Sequence, residues 1–192
     1  MERGALDYSG YFWQGERVRL RPVREDDTER FFADTLDSPS RQLLQLGIEL
    51  PTSTELLRAD LIRYAGCEQV DDVILFVIET LAGEPVGGLS LHSQDQKNGR
   101  FGFGVVVGRK HRGKGYAIEA VRILLRYGFW ERRHQKCESA CVHTNTASIS
   151  LHQALGFMEE GRLRRHHFFD GQYHDAILFG LTREEFDAGQ RA

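Results

Sequence analysis

The 192-residue sequence predicts an α/β domain of the α+β kind, a mixed and mostly antiparallel sheet of six to seven strands with helices on both faces. Three observations predict it. Short strand-like runs follow one another through turn dipeptides, which pairs neighbouring strands antiparallel. Helical periodicity is confined to a few separate segments. The strands do not alternate regularly with helices, as a doubly wound nucleotide-binding sheet requires.

Each element has its own local reason. In "ERVRLRPV" (16–23), Val18, Leu20 and Pro22 alternate against arginines, giving a half-buried strand ended by Pro22. "EDDTERFFADTL" places acidic residues first, where a helix N-terminus favours them. "TSTELLRADLIRYAG" carries Leu56, Leu57, Leu61 and Tyr64 at helical spacing, with Gly66 as a stop. "VILFVIETL" (73–81) and "PVGGLSLHS" (85–93) flank Gly83-Glu84-Pro85, a hairpin signal. "GRFGFGVVVG" (99–108) is a strand loosened by glycines.

The longest helical pattern spans 113–133, where Ala117, Ala120, Val121, Leu124, Leu125, Phe129 and Trp130 form one apolar stripe. "KCESACVH" (136–143) is a strand. "TNTASISLHQALGF" (144–157) is a helix with Asn and Thr at its mouth and Gly156 at its end. Two strands, 158–169 and 172–181, close around Asp170-Gly171. Residues 1–15 read as an N-terminal arm whose Tyr11, Phe12 and Trp13 dock on the domain. Residues 16–186 form one domain, and 187–192 a tail.

Composition narrows the function classes. A net charge of −3 argues against nucleic acid as the main partner. No apolar run is long enough to span a membrane, and the N-terminus lacks the basic end and apolar run of a signal peptide. Cys67, Cys137 and Cys141 are too few for a disulfide framework, so buried reduced thiols in a cytoplasmic protein are expected. The histidines lack zinc-ligand spacing, so no metal is expected. Whether the chain forms a homodimer stays open.

"GRKHRGKGY" (108–116) carries the chemistry. It reads G-x-x-x-x-G-K, a phosphate loop but for its last letter: Gly115 stands where a P-loop has the Ser or Thr that holds Mg²⁺. A strand enters this basic turn and a long helix leaves it. Gly113 and Gly115 allow positive φ and close approach of a ligand. The amides of 112–117, the free donors of a first helical turn, face an anion under the helix dipole. Arg109, Lys110, Arg112 and Lys114 add positive charge. A diphosphate held without metal is the expected ligand.

"RKHRGKGYA" resembles the acetyl-CoA loop of the GNAT N-acetyltransferases, Q/R-x-x-G-x-G/A, with Arg112, Gly115 and Ala117 in its fixed places. "NTASISLHQALGF" is similar to that family's second signature. "EGRLRRHHFFDGQYHDAILFGL" and "ERVRLRPVREDD" resemble the closing hairpin and opening strand of the ribosomal-protein alanine and spermidine acetyltransferases. The resemblance covers roughly 16–186 and implies acetyl transfer to an amine, on a peptide N-terminus, a polyamine or a small molecule. It implies acetyl-CoA in a gap between the strands at 101–107 and 137–142. Arg112, Gly113, Lys114, Gly115, Tyr116 and Ala117 would hold the pyrophosphate, and Val105, Val106 and Val107 would pair with pantetheine amides. A backbone N–H near Val106 would polarise the thioester carbonyl.

Asn145, Ser148 and His152 share one helix face. By resemblance Asn145 holds a pantetheine amide, and Ser148 or His152 protonates the leaving thiolate. His152 stands where many relatives carry Tyr, Ala154 where they carry Lys or Arg, and Gly102 where some carry a Glu base. Glu49 and Asp175 are the remaining candidates for the base or for contact with the substrate amine. His166, His167, Phe168 and Phe169 are candidates for the acceptor wall. Two rival readings stay open: a CoA-binding regulatory module without turnover, and a P-loop kinase, which Gly115 opposes.

Overall fold

A computed structural model describes residues 8–44, 50–65, 67, 69–70 and 72–190. Seven strands form one sheet in the order β1-β2-β3-β4-β5-β7-β6. They are β1 (Val18–Pro22), β2 (Ile74–Thr80), β3 (Pro85–Asp95), β4 (Arg100–Val107), β5 (Lys136–Val142), β6 (Met158–Phe169) and β7 (Gln172–Thr182). Every neighbouring pair is antiparallel except β4 and β5. Those two are joined by a helix, and only a crossover can return a strand parallel to its neighbour. The β6–β7 hairpin turns at Asp170 and Gly171, with φ of 50° and 70°, the left-handed pair that suits strand twist.

Helices α1 (Thr28–Thr35), α2 (Ser38–Leu43), α3 (Thr54–Ile62), α4 (Tyr116–Arg126), α5 (Thr146–Ala154) and α6 (Arg183–Gly189) complete the described chain. The α4 stripe of Ala120, Val121, Leu124 and Leu125 is fully buried with Leu20, Ile78, Leu89, Phe101 and Phe103 of the sheet. Leu151 of α5 and Leu155, which follows the helix, join the same core. On the opposite face, Leu61 of α3 packs with Val23 and Val77, joined by Phe31 of α1. Alternation along each strand assigns its residues to the two faces.

Several expectations change in detail. The pattern predicted as one helix to 133 ends α4 at Arg126 and continues as a π-helical turn, Tyr127–Glu131. Gly128 there leaves room for the Phe101 ring. The wider turn rotates Trp130 out of the stripe; it is 41% exposed, and its indole N–H donates to Asp187 at 2.9 Å. Two short helices, α2 and α6, were not predicted. Both are too brief for an apolar repeat, and α6, capped by the Thr182–Glu185 box, runs across the expected boundary at 186. In the arm, Trp13 stacks on Phe76 at 5.2 Å and lies 4.8 Å from Tyr127.

Candidate active site

β4 and β5 pair only from Arg100↔Lys136 to Gly102↔Glu138. Beyond that rung their pairing ends, and a cleft of about 540 Å³ opens between the free end of β4, the glycine loop with the start of α4, α5 and α2. Val105, Val106 and Val107 form its floor while remaining paired to β3 through Leu89, Gly88 and Gly87. One edge of β4 is therefore fixed and the other faces the cleft.

The glycine loop closes one end. After a tight turn at Arg109–His111, Gly113 takes φ 76° and Gly115 takes φ 81°, and Gly115 caps α4. Arg112, Gly113, Gly115, Tyr116 and Ala117 all line the cleft. The first-turn amides of α4 have no carbonyl four residues back and point out of the helix end. Glu119 accepts hydrogen bonds from the backbone amides of Glu16 and Arg17, which fastens this turn to β1.

Arg112 is turned away from the role its charge suggested. Its Nε donates to the Val107 carbonyl at 3.0 Å and its Nη2 to Asp37 at 3.0 Å, so the side chain braces the loop against α2. Lys114 is exposed and is not among the cleft-lining residues. Arg17 is the cation the sequence did not single out: its Nη1 donates to the Lys114 carbonyl at 3.1 Å. It lies about a hundred residues away, so no local pattern marks it.

Asn145 caps α5. Its Oδ1 accepts from the Ser148 amide at 3.1 Å and its Nδ2 donates to the Leu43 carbonyl at 3.2 Å, joining α5 to α2. Both capping partners line the cleft, with Ser40 and Leu44 extending the α2 wall. The run "DSPSRQL" held a usable signal for α2, a Pro in the first helical turn after Asp37.

Ser148 lines the cleft, and His152 does not. His152 is 2% exposed and stacks on Phe179 at 4.5 Å. Its Nδ1–H donates to the Ser148 carbonyl at 2.7 Å, which leaves Nε2 to accept from the Ser139 hydroxyl at 2.9 Å. Burial pushes its pKa below the ordinary imidazole value, against a smaller opposing pull from the Ser148 carbonyl. The expected acid is thus a core histidine with both nitrogens engaged.

Asp175 is occupied as well. Its carboxylate accepts from the Arg165 amide at 2.8 Å and from Arg162 Nε at 2.8 Å, and these two contacts hold its pKa down. It pins the bulge of β6 where Arg165 takes φ 52°. Phe169 stacks on His174 at 3.9 Å near the hairpin tip, and Phe168 is 64% exposed against Tyr173. Neither these rings nor His166 and His167 line the cleft. Glu49 lies outside the described residues. Among the described residues, no cluster of three or more His, Cys, Asp or Glu could hold a metal.

The profile of the acetyltransferase (GNAT) domain matches residues 17–158. The chain is 36% identical to the SPbeta prophage-derived uncharacterized N-acetyltransferase YokL of Bacillus subtilis, over 92% of this chain and 96% of that one. It is 26% identical to the putative ribosomal N-acetyltransferase YdaF of the same organism, over 90% and 94%. The crystal structure of spermidine N-acetyltransferase from Vibrio cholerae in complex with CoA and spermine shares the fold, with a TM-score of 0.77 at 19% identity, over 88% and 97% of the two chains. With a phosphate-type loop at the mouth of a splayed-strand cleft and a family match over most of its length, the chain belongs to the GNAT acetyltransferases, which draw their acetyl group from acetyl-CoA.

Proposed function

We propose that the protein acetylates a primary amine, and that the α-amine of a peptide is its first substrate class. The observation that carries the acetyl-CoA site is the pair of left-handed glycines turning the first-turn amides of α4 into the 540 Å³ cleft. The residues suit the cosubstrate: a side-chain carbon at Gly113 would meet nothing within 4 Å, which leaves room for a diphosphate against bare backbone. Bound there, acetyl-CoA supplies an activated thioester. The amides of 113–117 hold the diphosphate, with Arg17 adding positive charge behind Gly115. The cleft-side edge of Val105–Val107 pairs with the pantetheine amides as an added strand. A backbone N–H near Val106 polarises the carbonyl.

Ser148 is the proton donor to the departing thiolate in this reading, supported by its place on the cleft wall and by the burial of His152. Ser148→Ala is expected to lower kcat roughly 10- to 100-fold at unchanged CoA affinity. His152→Phe should keep kcat within about threefold while losing stability, because Ser139 and the Ser148 carbonyl lose a partner. Steady-state kinetics beside calorimetric CoA titration checks both.

Amine basicity supports the α-amine. A group of pKa near 7.8 is neutral in about one molecule in ten at pH 7, and a polyamine nitrogen near 10.4 in about one in a thousand. The exposed cations Arg164 and Arg165 near the β6–β7 tip also repel a polycation. A polyamine is the second reading, favoured by the name of the Vibrio cholerae neighbour. The three cysteines are free thiols, and among the described residues no helix is long and apolar enough to cross a membrane. Free thiol released from acetyl-CoA, measured against an alanyl peptide, spermidine and a small monoamine, decides the class. CoA binding with no turnover on any amine would make the protein a regulatory module instead.

A further inference from the structure

Two glycines of β4 lie under side chains from β3, on the sheet face away from α4. A side-chain carbon at Gly102 would fall 2.9 Å from Cε1 and 3.0 Å from Nδ1 of His92. One at Gly104 would fall 2.9 Å from Ser90 Oγ and 3.9 Å from His92 Nε2. Position 102 is therefore glycine because the imidazole occupies the space a side chain there would need. The rung His92↔Gly102 continues into Gly102↔Glu138, the last pairing before β4 and β5 splay. The ring thus stands beside the last rung before the strands splay, outside the residues that line the cleft, with Nε2 on the Gly104 side.

The ring is half-buried, and Nδ1 lies 3.0 Å from Ser93 Oγ. In the tautomer whose Nδ1–H donates to Ser93, Nε2 carries the lone pair. Burial pushes this histidine below the ordinary imidazole value, and the Phe103 backbone and the Asp72 carboxylate pull it partly back. The other charged groups around it are engaged. Asp72 accepts from the Gln94 amide at 3.1 Å. Glu138 is held by Arg100 at 3.2 Å and Lys136 at 3.5 Å, and Arg100 by Asp95 at 2.8 Å.

We propose that His92 is the general base of the acetyl transfer, Nε2 taking a proton from the substrate ammonium directly or through one water. The inference rests on the acetyl-transfer reading above. Loss of that proton leaves the electron pair on nitrogen, which attacks the thioester carbon. The C–N bond forms and the C–S bond breaks. The second proton on nitrogen passes to the thiolate by way of Ser148 or water, giving the amide and CoA thiol. The imidazolium returns its proton to solvent.

The test uses the full chain with acetyl-CoA and two amine probes, an alanyl peptide and spermidine, assayed by thiol release across the neutral pH range. His92→Gln is expected to lower kcat about 10²- to 10³-fold, with CoA affinity by calorimetry unchanged, and to remove the acid limb of the pH profile. His92→Ala should regain activity on addition of free imidazole. Joined to Gly102→Glu, it should also regain activity, because the vacated space then receives a carboxylate. In NMR titration the His92 ring should shift on adding the amine that is turned over. A His92→Gln enzyme within about threefold of wild type with the same acid limb overturns the role, as does a ring that ignores the amine. Wild-type protein that binds CoA but releases no thiol with either probe overturns the transferase reading, and this proposal with it.

Discussion

Gly115→Val is expected to weaken CoA binding at least about a hundredfold, the largest loss any single change in the loop should cause. The backbone sits at φ 81°, which a β-branched residue avoids, and the new side-chain carbon would fall 2.5 Å from Arg17 Nη1. Relief of either conflict turns the α4 amides and Arg17 away from the diphosphate. Hydrogen bonds to a charged group contribute about 1.5–3 kcal/mol each, so losing two suffices for the stated factor. Gly113→Ala is the control. It has the same strain, at φ 76°, but open space around it, and a loss of only about fivefold is expected. Calorimetric titration with CoA compares the two. Equal affinity in wild type and Gly115→Val would remove the loop from the binding site.

Arg21→Met should cost about 3–5 kcal/mol of stability, or roughly 6–20 °C in Tm. Arg21 is 7% exposed and bridges Asp27, at 2.7 and 2.8 Å, to Glu79, at 2.5 Å. Removing it leaves Asp27 with no side-chain donor and only the Arg24 amide, and Glu79 with only Arg19. Burial by itself raises both carboxyl pKa values. In the native protein the hydrogen bonds from Arg21, with the Arg24 amide on Asp27 and Arg19 on Glu79, outweigh that burial and hold both below the ordinary range. A depressed carboxyl stabilises above its unfolded value of about 4, and that stability is lost as pH falls through the lower folded value. The variant's deficit should therefore be full at neutral pH and narrow in acid. Denaturant melts at several pH values test this, and a deficit that does not change with pH would show that packing, not charge, set the cost.

The loop was legible because its chemistry lies within contiguous residues. Two glycines, the helix they open and the free amides of its first turn are all consequences of local backbone geometry. The Asp170-Gly171 hairpin was legible for the same reason, as was Asn145 as a cap. His152 was read on the correct helix face, but the face alone could not reveal Phe179 and Ser139 closing over it. Asp175 carried a plausible charge, yet its partners stand on the neighbouring strand across a bulge. Helix α2, which walls the cleft, is six residues long and shows no period, although its Pro was a usable sign.

Sequence alone settled what each short stretch could do: which turns needed glycine, which helix end offered bare amides, and which strands had one apolar side. Tertiary structure decided which distant groups share a site, setting Arg17 behind the loop, Arg112 onto Asp37, and His92 over the two glycines of β4. The reason is physical. Backbone preference acts over a few consecutive residues, whereas those meetings depend on strand register and on helices packed across the sheet, and no single stretch of chain encodes either.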